Sequence, residues 1–262
     1  MEAKKLFAVV GTDARQAAAG RVLERAGYAV GGAEQVALAD YILLPLPLDA
    51  ARTPLAELLR AARPGTLALG GMLSAEAKAI AAEAGVELVD YFAREELAVA
   101  NAVPTAEGAL QIAMEELPIT LHSARVLILG FGRVGKLTAH RMGALGAKVT
   151  VSAQSYEDLA WAAAYGYETD RLEDLAWELG GFDLVVNTIP APVLDERRLR
   201  WVDPGAFLLD LASAPGGIDR AAAQRRNLQV LQAPGLPGRV APVTAAAAIR
   251  DAVYHILWEQ EA

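Results

Sequence analysis

The stretch VLILGFGRVGK, residues 126–136, places Gly130, Gly132 and Gly135 directly after an apolar run. This G-x-G-x-x-G spacing suits a strand that turns into a helix beneath a pyrophosphate. The first glycine permits the tight turn, the second lets the anion approach the backbone, and the third lets helix and strand pack closely. Free amides and the dipole at the helix start favour negative charge. Gly130, Phe131, Gly132, Arg133, Val134 and Gly135 are therefore expected to form a dinucleotide-binding turn.

About twenty residues further on, an acidic residue grips the ribose 2′-hydroxyl of NAD in such sites. Here the segment reads VTVSAQSYEDL, with Ser152, Ala153, Gln154 and Ser155 at that place. Ser152 and Gln154 can bond a 2′-phosphate without repelling it, which inclines the reading towards NADP and leaves NAD open. Glu157 and Asp158, one turn later, read as helix-capping residues. Asn187, Thr188, Ile189 and Pro190 in VVNTIPAP, and Asp210 and Ala212 in LLDLASAPGG, stand at strand ends and are expected to border the cofactor. For Asn187 and Thr188, a plain strand-to-loop exit accounts for the pattern equally well.

Earlier in the chain, GTDARQ lacks the second and third glycines, so a second dinucleotide is not expected there. Thr12, Asp13 and Arg15 would instead make an anion site at a helix start, with Arg15 able to clamp a carboxylate in bidentate fashion. Asp13 also reads simply as an N-cap, forming a capping box with Gln16. Arg94, Asn101, Thr105 and Glu107 bring polar groups to a stretch where a hinge would be built of small residues and Pro. His140 and His255 read as packing or surface positions, and His122 as one able to reach a cleft; no histidine spacing points to a metal.

The elements that must position these residues alternate between strand and helix, twice over. The first set of strands is LFAVVG, YAV, YILLPLP, TLALG and VELVD; the second is RVLILG, AKVTVS, GYETD, FDLVVNTIP, AFLLDLA and LQVLQAPG. This alternation predicts an α/β protein of two doubly wound parallel-sheet domains, the second a Rossmann dinucleotide-binding domain, with a C-terminal helix returning to the first. The expected boundaries are a flavodoxin-like substrate domain at 1–104, a linker helix at 105–120, the Rossmann domain at 121–233, and a loop and helix at 234–262. Leu110, Ala113, Met114 and Leu117 are expected to form the linker's buried face, and Ile249, Val253, Ile256 and Leu257 that of the last helix. The chemistry would lie in the cleft between the domains.

Composition narrows the classes. Among 262 residues there is no Cys, so a thiolate nucleophile and a disulfide framework are excluded. A net charge of -8 with scattered Lys and Arg argues against a nucleic-acid partner. No apolar run reaches the roughly 20 residues of a membrane span, and MEAKKLFAVVG reads as a first buried strand rather than a leader. A cytoplasmic address is expected.

In order along the chain, GTDARQ, NAVPTAEG, GFGRVGK, LDLASAPGG and APGLPGRVAP resemble the family of dipicolinate synthase A-type subunits. The resemblance implies a dehydrogenase-like subunit that works with a flavoprotein-like B-type subunit in the mother cell of an endospore former. Together they would make pyridine-2,6-dicarboxylate from hydroxy-tetrahydrodipicolinate or dihydrodipicolinate. One departure is Gln154, which stands where that family often carries Arg.

On this resemblance, Arg15 with Arg94 or Arg239 would hold the two substrate carboxylates, and Glu107, or else Asp13, would accept a proton. Burial raising its pKa would help that base. Thr12, Asn101 and Thr105 would line the substrate site, and the loop carrying Gly235, Leu236, Gly238 and Arg239 would be its lid. A 2-hydroxy-acid-type dehydrogenase and a non-catalytic nucleotide-binding scaffold are the alternatives, and a homodimer is left open.

Overall fold

Short apolar strands and Ala-rich helices alternate to build two units, described in a computed structural model over residues 4–12, 14–49, 52–175 and 179–261. One unit is Met1–Asn101 with Ala241–Ala262, the other Ala102–Val240.

The first unit runs β1 (Leu6–Val9), α1 (Ala14–Arg25), β2 (Ala29–Gly31), β3 (Tyr41–Leu43), α2 (Leu55–Ala61), β4 (Leu67–Gly70), α3 (Ala75–Ala84) and β5 (Glu87–Asp90). Its strands are parallel in the order β2-β1-β3-β4-β5, the flavodoxin-like arrangement. Strands buried on both faces read as continuous apolar runs, as in β4, where all four residues are buried.

Helix α4 (Glu95–Glu116) starts ten residues before the expected linker helix and carries Pro104 within it. An internal proline forfeits one backbone bond. Here the helix continues because Ala102, Ala106, Ala109, Ala113 and Leu117 bury one face. That stripe is rotated from the expected one: Met114 is 62% exposed.

The second unit continues with β6 (Arg125–Leu129), α5 (Arg133–Ala144), β7 (Lys148–Ala153), α6 (Tyr156–Ala164), β8 (Glu168–Arg171), β9 (Leu184–Asn187), α7 (Glu196–Leu199), β10 (Phe207–Asp210), α8 (Arg220–Arg225), β11 (Gln229–Gln232) and α9 (Leu236–Val240). Its parallel sheet has the order β11-β10-β9-β6-β7-β8, the six-strand Rossmann order. The topology reverses at β6, between β7 and β9, which is where such sheets bind ligands.

Helix α10 (Pro242–Glu261) belongs to the first unit. Ile249, Val253, Ile256 and Leu257 are all buried, in one core with Ala18, Ala19, Val22 and Leu23 of α1. Each such side chain contributes roughly 1.5–3 kcal/mol of burial. Among the described residues no helix is long and apolar enough to cross a membrane.

Candidate functional site: the carboxyl edge of the second sheet

β6, β7, β9 and β10 end in register, Leu129 opposite Ser152 and Asn187, and Asn187 opposite Asp210. One sheet edge thus gathers the glycine turn with the exits that carry Gln154, Thr188 and Ala212.

The three glycines meet three different constraints. Gly130 has φ +90, and a Cβ there would lie 2.7 Å from Thr188 Oγ1 and 2.8 Å from Ile189 Cγ1. A Cβ on Gly135 would lie 2.1 Å from the Gly130 carbonyl oxygen, so α5 could not pack this closely on the turn. At Gly132 a Cβ would meet nothing within 4 Å, and this residue precedes α5 with no side-chain cap. Open space before uncapped amides at a helix start is a fit for a pyrophosphate. Phe131 is buried beneath the turn, and Arg133 and Val134 begin α5.

Thr188 fastens the turn to β9, its Oγ1 donating to the Leu129 carbonyl at 2.8 Å. Asn187 and Asp210 are buried, at 0% and 2% exposure. Asp210 accepts from Asn187 Nδ2 at 2.8 Å, Ala212 N at 3.1 Å and Gly217 N at 2.9 Å. Asn187 closes its own turn, donating to the Ile189 carbonyl and accepting from the Ile189 amide. This pair therefore shapes the loops at the edge, and its polar atoms are consumed in doing so. Ile189 is half-buried, Pro190 exposed and Ala212 buried.

The β7 exit differs from expectation in two respects. Ser152 is fully buried, and its Oγ has no hydrogen-bond partner among the described residues. It lies inside the sheet, out of reach of a ribose substituent. Ser155, not Glu157 or Asp158, caps α6 by accepting from the Asp158 amide at 3.0 Å. Gln154 is exposed. Two cations that the sequence reading passed over flank this exit. Lys136 Nζ on α5 lies 4.0 Å from Asp158 Oδ1, and Arg171, opposite Ala153 in register, lies over the Tyr156 ring at 4.9 Å.

The structure does not bring Glu107 to the glycine turn. Its carboxylate is 3.5 Å from Arg141 Nη2, and Arg141 also donates to the Leu137 carbonyl, so Glu107 lies along the body of α5. At 58% exposed, it lacks the burial expected of the proposed base. Leu236 is buried against Gly108, and residues 236–240 form α9, so the segment expected to be a lid is anchored in the core of the second unit. Gly235 precedes α9 with φ +68, Gly238 lies within it and Arg239 is exposed on it.

In the first unit, Arg15 donates from Nη2 to the Leu46 carbonyl, just beyond the carboxyl end of β3. Thr12 is exposed beside it in sequence, and Asp13 lies outside the described residues. Gln16 is buried and donates to the Val10 carbonyl at 3.1 Å; the expected capping box with Asp13 lies outside the described residues. Arg94 is not available to a substrate carboxylate. It forks onto Glu259 through two bonds of 2.7 Å and also pairs with Glu96. The bond from Arg94 pulls the Glu96 carboxyl down to about 2, and Glu259 is held below its ordinary range by the same guanidinium. Asn101 and Thr105 are half-buried on α4.

None of the three histidines is at the carboxyl edge of the second sheet. His122 lies over Gly146 before β6, His140 is exposed on α5, and His255 faces Glu96 from α10.

A solved structure of the dipicolinate synthase A-type subunit from Bacillus halodurans is 31% identical, covering 97% of this chain and 97% of that one, with a TM-score of 0.88. The chain belongs to the family of dipicolinate synthase A-type subunits. The corresponding dipicolinate synthase structure from Bacillus subtilis is 29% identical over 99% of this chain and 97% of that one, with a TM-score of 0.85. The curated A-type subunit of dipicolinate synthase from Bacillus subtilis (strain 168) is 37% identical over 192 residues. That match covers 73% of this chain and 65% of the relative, so the chain spans somewhat less than two thirds of that protein's length. Residues 93–222 match the NAD binding domain model of the D-isomer specific 2-hydroxyacid dehydrogenases. A dehydrogenase-type domain for a nicotinamide dinucleotide thus coincides with the unit that carries the glycine turn.

Proposed function

We propose that this chain is the dehydrogenase subunit of a dipicolinate synthase and oxidises dihydrodipicolinate, formed from 4-hydroxy-tetrahydrodipicolinate, to pyridine-2,6-dicarboxylate. The observation that carries the reading is the end-to-end similarity to the A-type subunit, at 31% identity over 97% of both chains. The open space at Gly132, bounded by two glycines that admit no side chain, supports it from the chain's own geometry.

A bound NADP or NAD supplies a hydride acceptor, and aromatisation of the ring provides the driving force. The turn from Gly130 to Gly135 would hold the pyrophosphate through amides at the start of α5. Thr188 and the Asn187–Asp210 pair keep the neighbouring loops in shape. Arg15, helped by Thr12, holds one substrate carboxylate through charge-assisted bonds. Arg94 is committed to Glu259 and Glu96 and is not proposed for the second carboxylate. Glu107, which Arg141 engages, or Asp13 is the candidate to accept the proton that leaves with the hydride.

A 2-hydroxy-acid dehydrogenase activity is the second reading, favoured by the match over residues 93–222. Enzymes of that kind rely on a histidine beside the nicotinamide, and the positions of His122, His140 and His255 weigh against it.

The test is turnover by the purified full chain, given freshly generated hydroxy-tetrahydrodipicolinate and NADP or NAD, with and without the flavoprotein-like B-type subunit. Dipicolinate from the chain alone, or only with that second protein, supports a complete or a shared active site respectively. Cofactor binding with no product under either condition would overturn the enzymatic reading in favour of a scaffold.

A further inference from the structure

We propose that Met72 determines substrate specificity at the carboxyl edge of the first sheet, its thioether lying against the ring of a cyclic dicarboxylate that Arg15 holds by one carboxylate. This rests on the proposal that Arg15 binds the substrate.

The exits of four strands adjoin at this edge. A Cβ on Gly11, after β1, would lie 3.2 Å from Pro45 Cγ, after β3. Arg15 donates from Nη2 to the carbonyl of Leu46, the next residue along. Gly71, after β4, accepts from the Leu48 amide at 2.9 Å, and a Cβ there would lie 2.5 Å from Leu46 Cδ1 and 2.9 Å from Tyr91 Cε2. A Cβ on Gly70 would likewise lie 2.7 Å from Leu73 Cδ2. Close packing thus favours two residues without side chains, and Met72 is the first side chain to leave the β4 exit. It stands one residue from the contact with the loop that Arg15 fastens.

Met72 occupies the left-handed region at φ +60, where glycine is the unstrained choice. Ser123 and Asn227 share that region among the described non-glycine residues, and both are short and polar. Asn227 follows α8, a place where asparagine takes this conformation readily. A long apolar side chain has no such local reason to be there. Burial does not offset the strain, because Met72 is 49% exposed. The turn is held from outside: Asp90, at the end of β5, accepts from the amides of Met72 at 3.2 Å, Leu73 at 3.1 Å and Phe92 at 2.9 Å. A strained residue fixed by its surroundings and left exposed at a ligand edge is kept for what it touches.

The chemistry of the side chain narrows what that is. A thioether carries no charge and no proton to give, and it offers a flat ring a polarizable contact. An acyclic dicarboxylate gains nothing from it, although Arg15 can pair with its carboxylate just as well.

The experiment is calorimetric titration of the full chain with dipicolinate and with glutarate, an acyclic counterpart, with and without NADP, alongside thermal melts. Met72→Gly should melt no lower than wild type and up to about 3 °C higher, since glycine takes this φ freely. The same variant should bind dipicolinate about five- to tenfold more weakly and glutarate within about twofold of wild type. Met72→Leu, which keeps the apolar bulk, should stay within about threefold for both ligands. A residue with a merely structural role would not give a firmer fold together with weaker ring binding. Unchanged dipicolinate affinity in Met72→Gly, a lower melting temperature, or an equal loss for both ligands would overturn the assignment. Arg15→Ala separates that failure from failure of the substrate proposal. Weaker binding of both dicarboxylates by Arg15→Ala leaves the edge as the substrate site whatever Met72 does; unchanged binding, or a wild type that binds neither, would overturn both.

Discussion

Asn187 donates its side-chain amide to the carboxylate of Asp210 at 2.8 Å, and the two residues end neighbouring strands with almost no exposure. The carboxylate also takes the amides of Ala212 and Gly217 and so pins both ends of the loop between them. Asp210→Ala would strand three buried donors, at about 1–3 kcal/mol each. A loss of about 3 kcal/mol or more in urea unfolding is expected, with weaker dinucleotide binding in the fraction that stays folded. A loss under about 1 kcal/mol would mean that the loop holds its shape without the carboxylate.

The glycine turn predicts a contrast between two alanine substitutions. Gly135→Ala drives a methyl into the Gly130 carbonyl, with backbone on both sides, and should cost several kcal/mol in stability or leave the chain insoluble. Gly132→Ala meets open space, so the melting temperature should stay within about 2 °C while NADPH affinity falls about tenfold or more. Thermal melts and fluorescence titrations of the two variants provide the comparison. A Gly132→Ala protein that binds NADPH normally would remove the pyrophosphate from this turn.

Arg15→Ala should raise KM for the dicarboxylate about ten- to a hundredfold, the worth of one charge-assisted pair, and leave NADPH affinity unchanged. Steady-state kinetics together with the cofactor titration separate the two effects. An unaltered KM would take Arg15 out of the substrate site.

The ion network at the start of α4 carries a pH dependence. Arg94 lowers the Glu96 carboxyl to about 2 and also lowers that of Glu259. A carboxyl whose folded pKa is depressed stabilises the fold above its unfolded pKa and loses that contribution as pH falls through the folded one. Glu96→Gln should therefore be less stable than wild type at neutral pH, and the gap should close between about pH 4.5 and about 2. With 41% of the Glu96 side chain exposed, screening keeps the gap below about 1 kcal/mol. Denaturant unfolding across that range measures it; a gap that widens towards acid would reverse the assignment.

Local signals in the sequence disclosed much of the architecture. Apolar runs marked most of the strands, with β8, polar throughout, legible only from the strand–helix alternation; the glycine spacing marked the turn at residues 130–135, and a single i, i+4, i+7, i+8 stripe marked the buried face of α10. The sequence does not disclose side-chain partners that come from distant elements. Arg94 looked free because Glu259 is 165 residues away, and Glu107 looked poised because Arg141 is on another helix. Pro104 suggested a boundary, whereas tertiary burial carried α4 through it. Arg171 gains its place beside the β7 exit only through parallel register with Ala153, which no local pattern encodes. Lys136 was within the quoted glycine motif, but its proximity to Asp158 depends on how α5 and α6 pack.

Hydride transfer from a dihydropyridine dicarboxylate fixes one stoichiometry, and measuring it tests the proposed reaction. The full chain, with the flavoprotein-like B-type subunit where required, is given hydroxy-tetrahydrodipicolinate and NADP while reduced nicotinamide and dipicolinate are followed together. One reduced nicotinamide for each dipicolinate formed is the predicted result. Dipicolinate accumulating without reduced cofactor, at a rate the chain still accelerates, would contradict it.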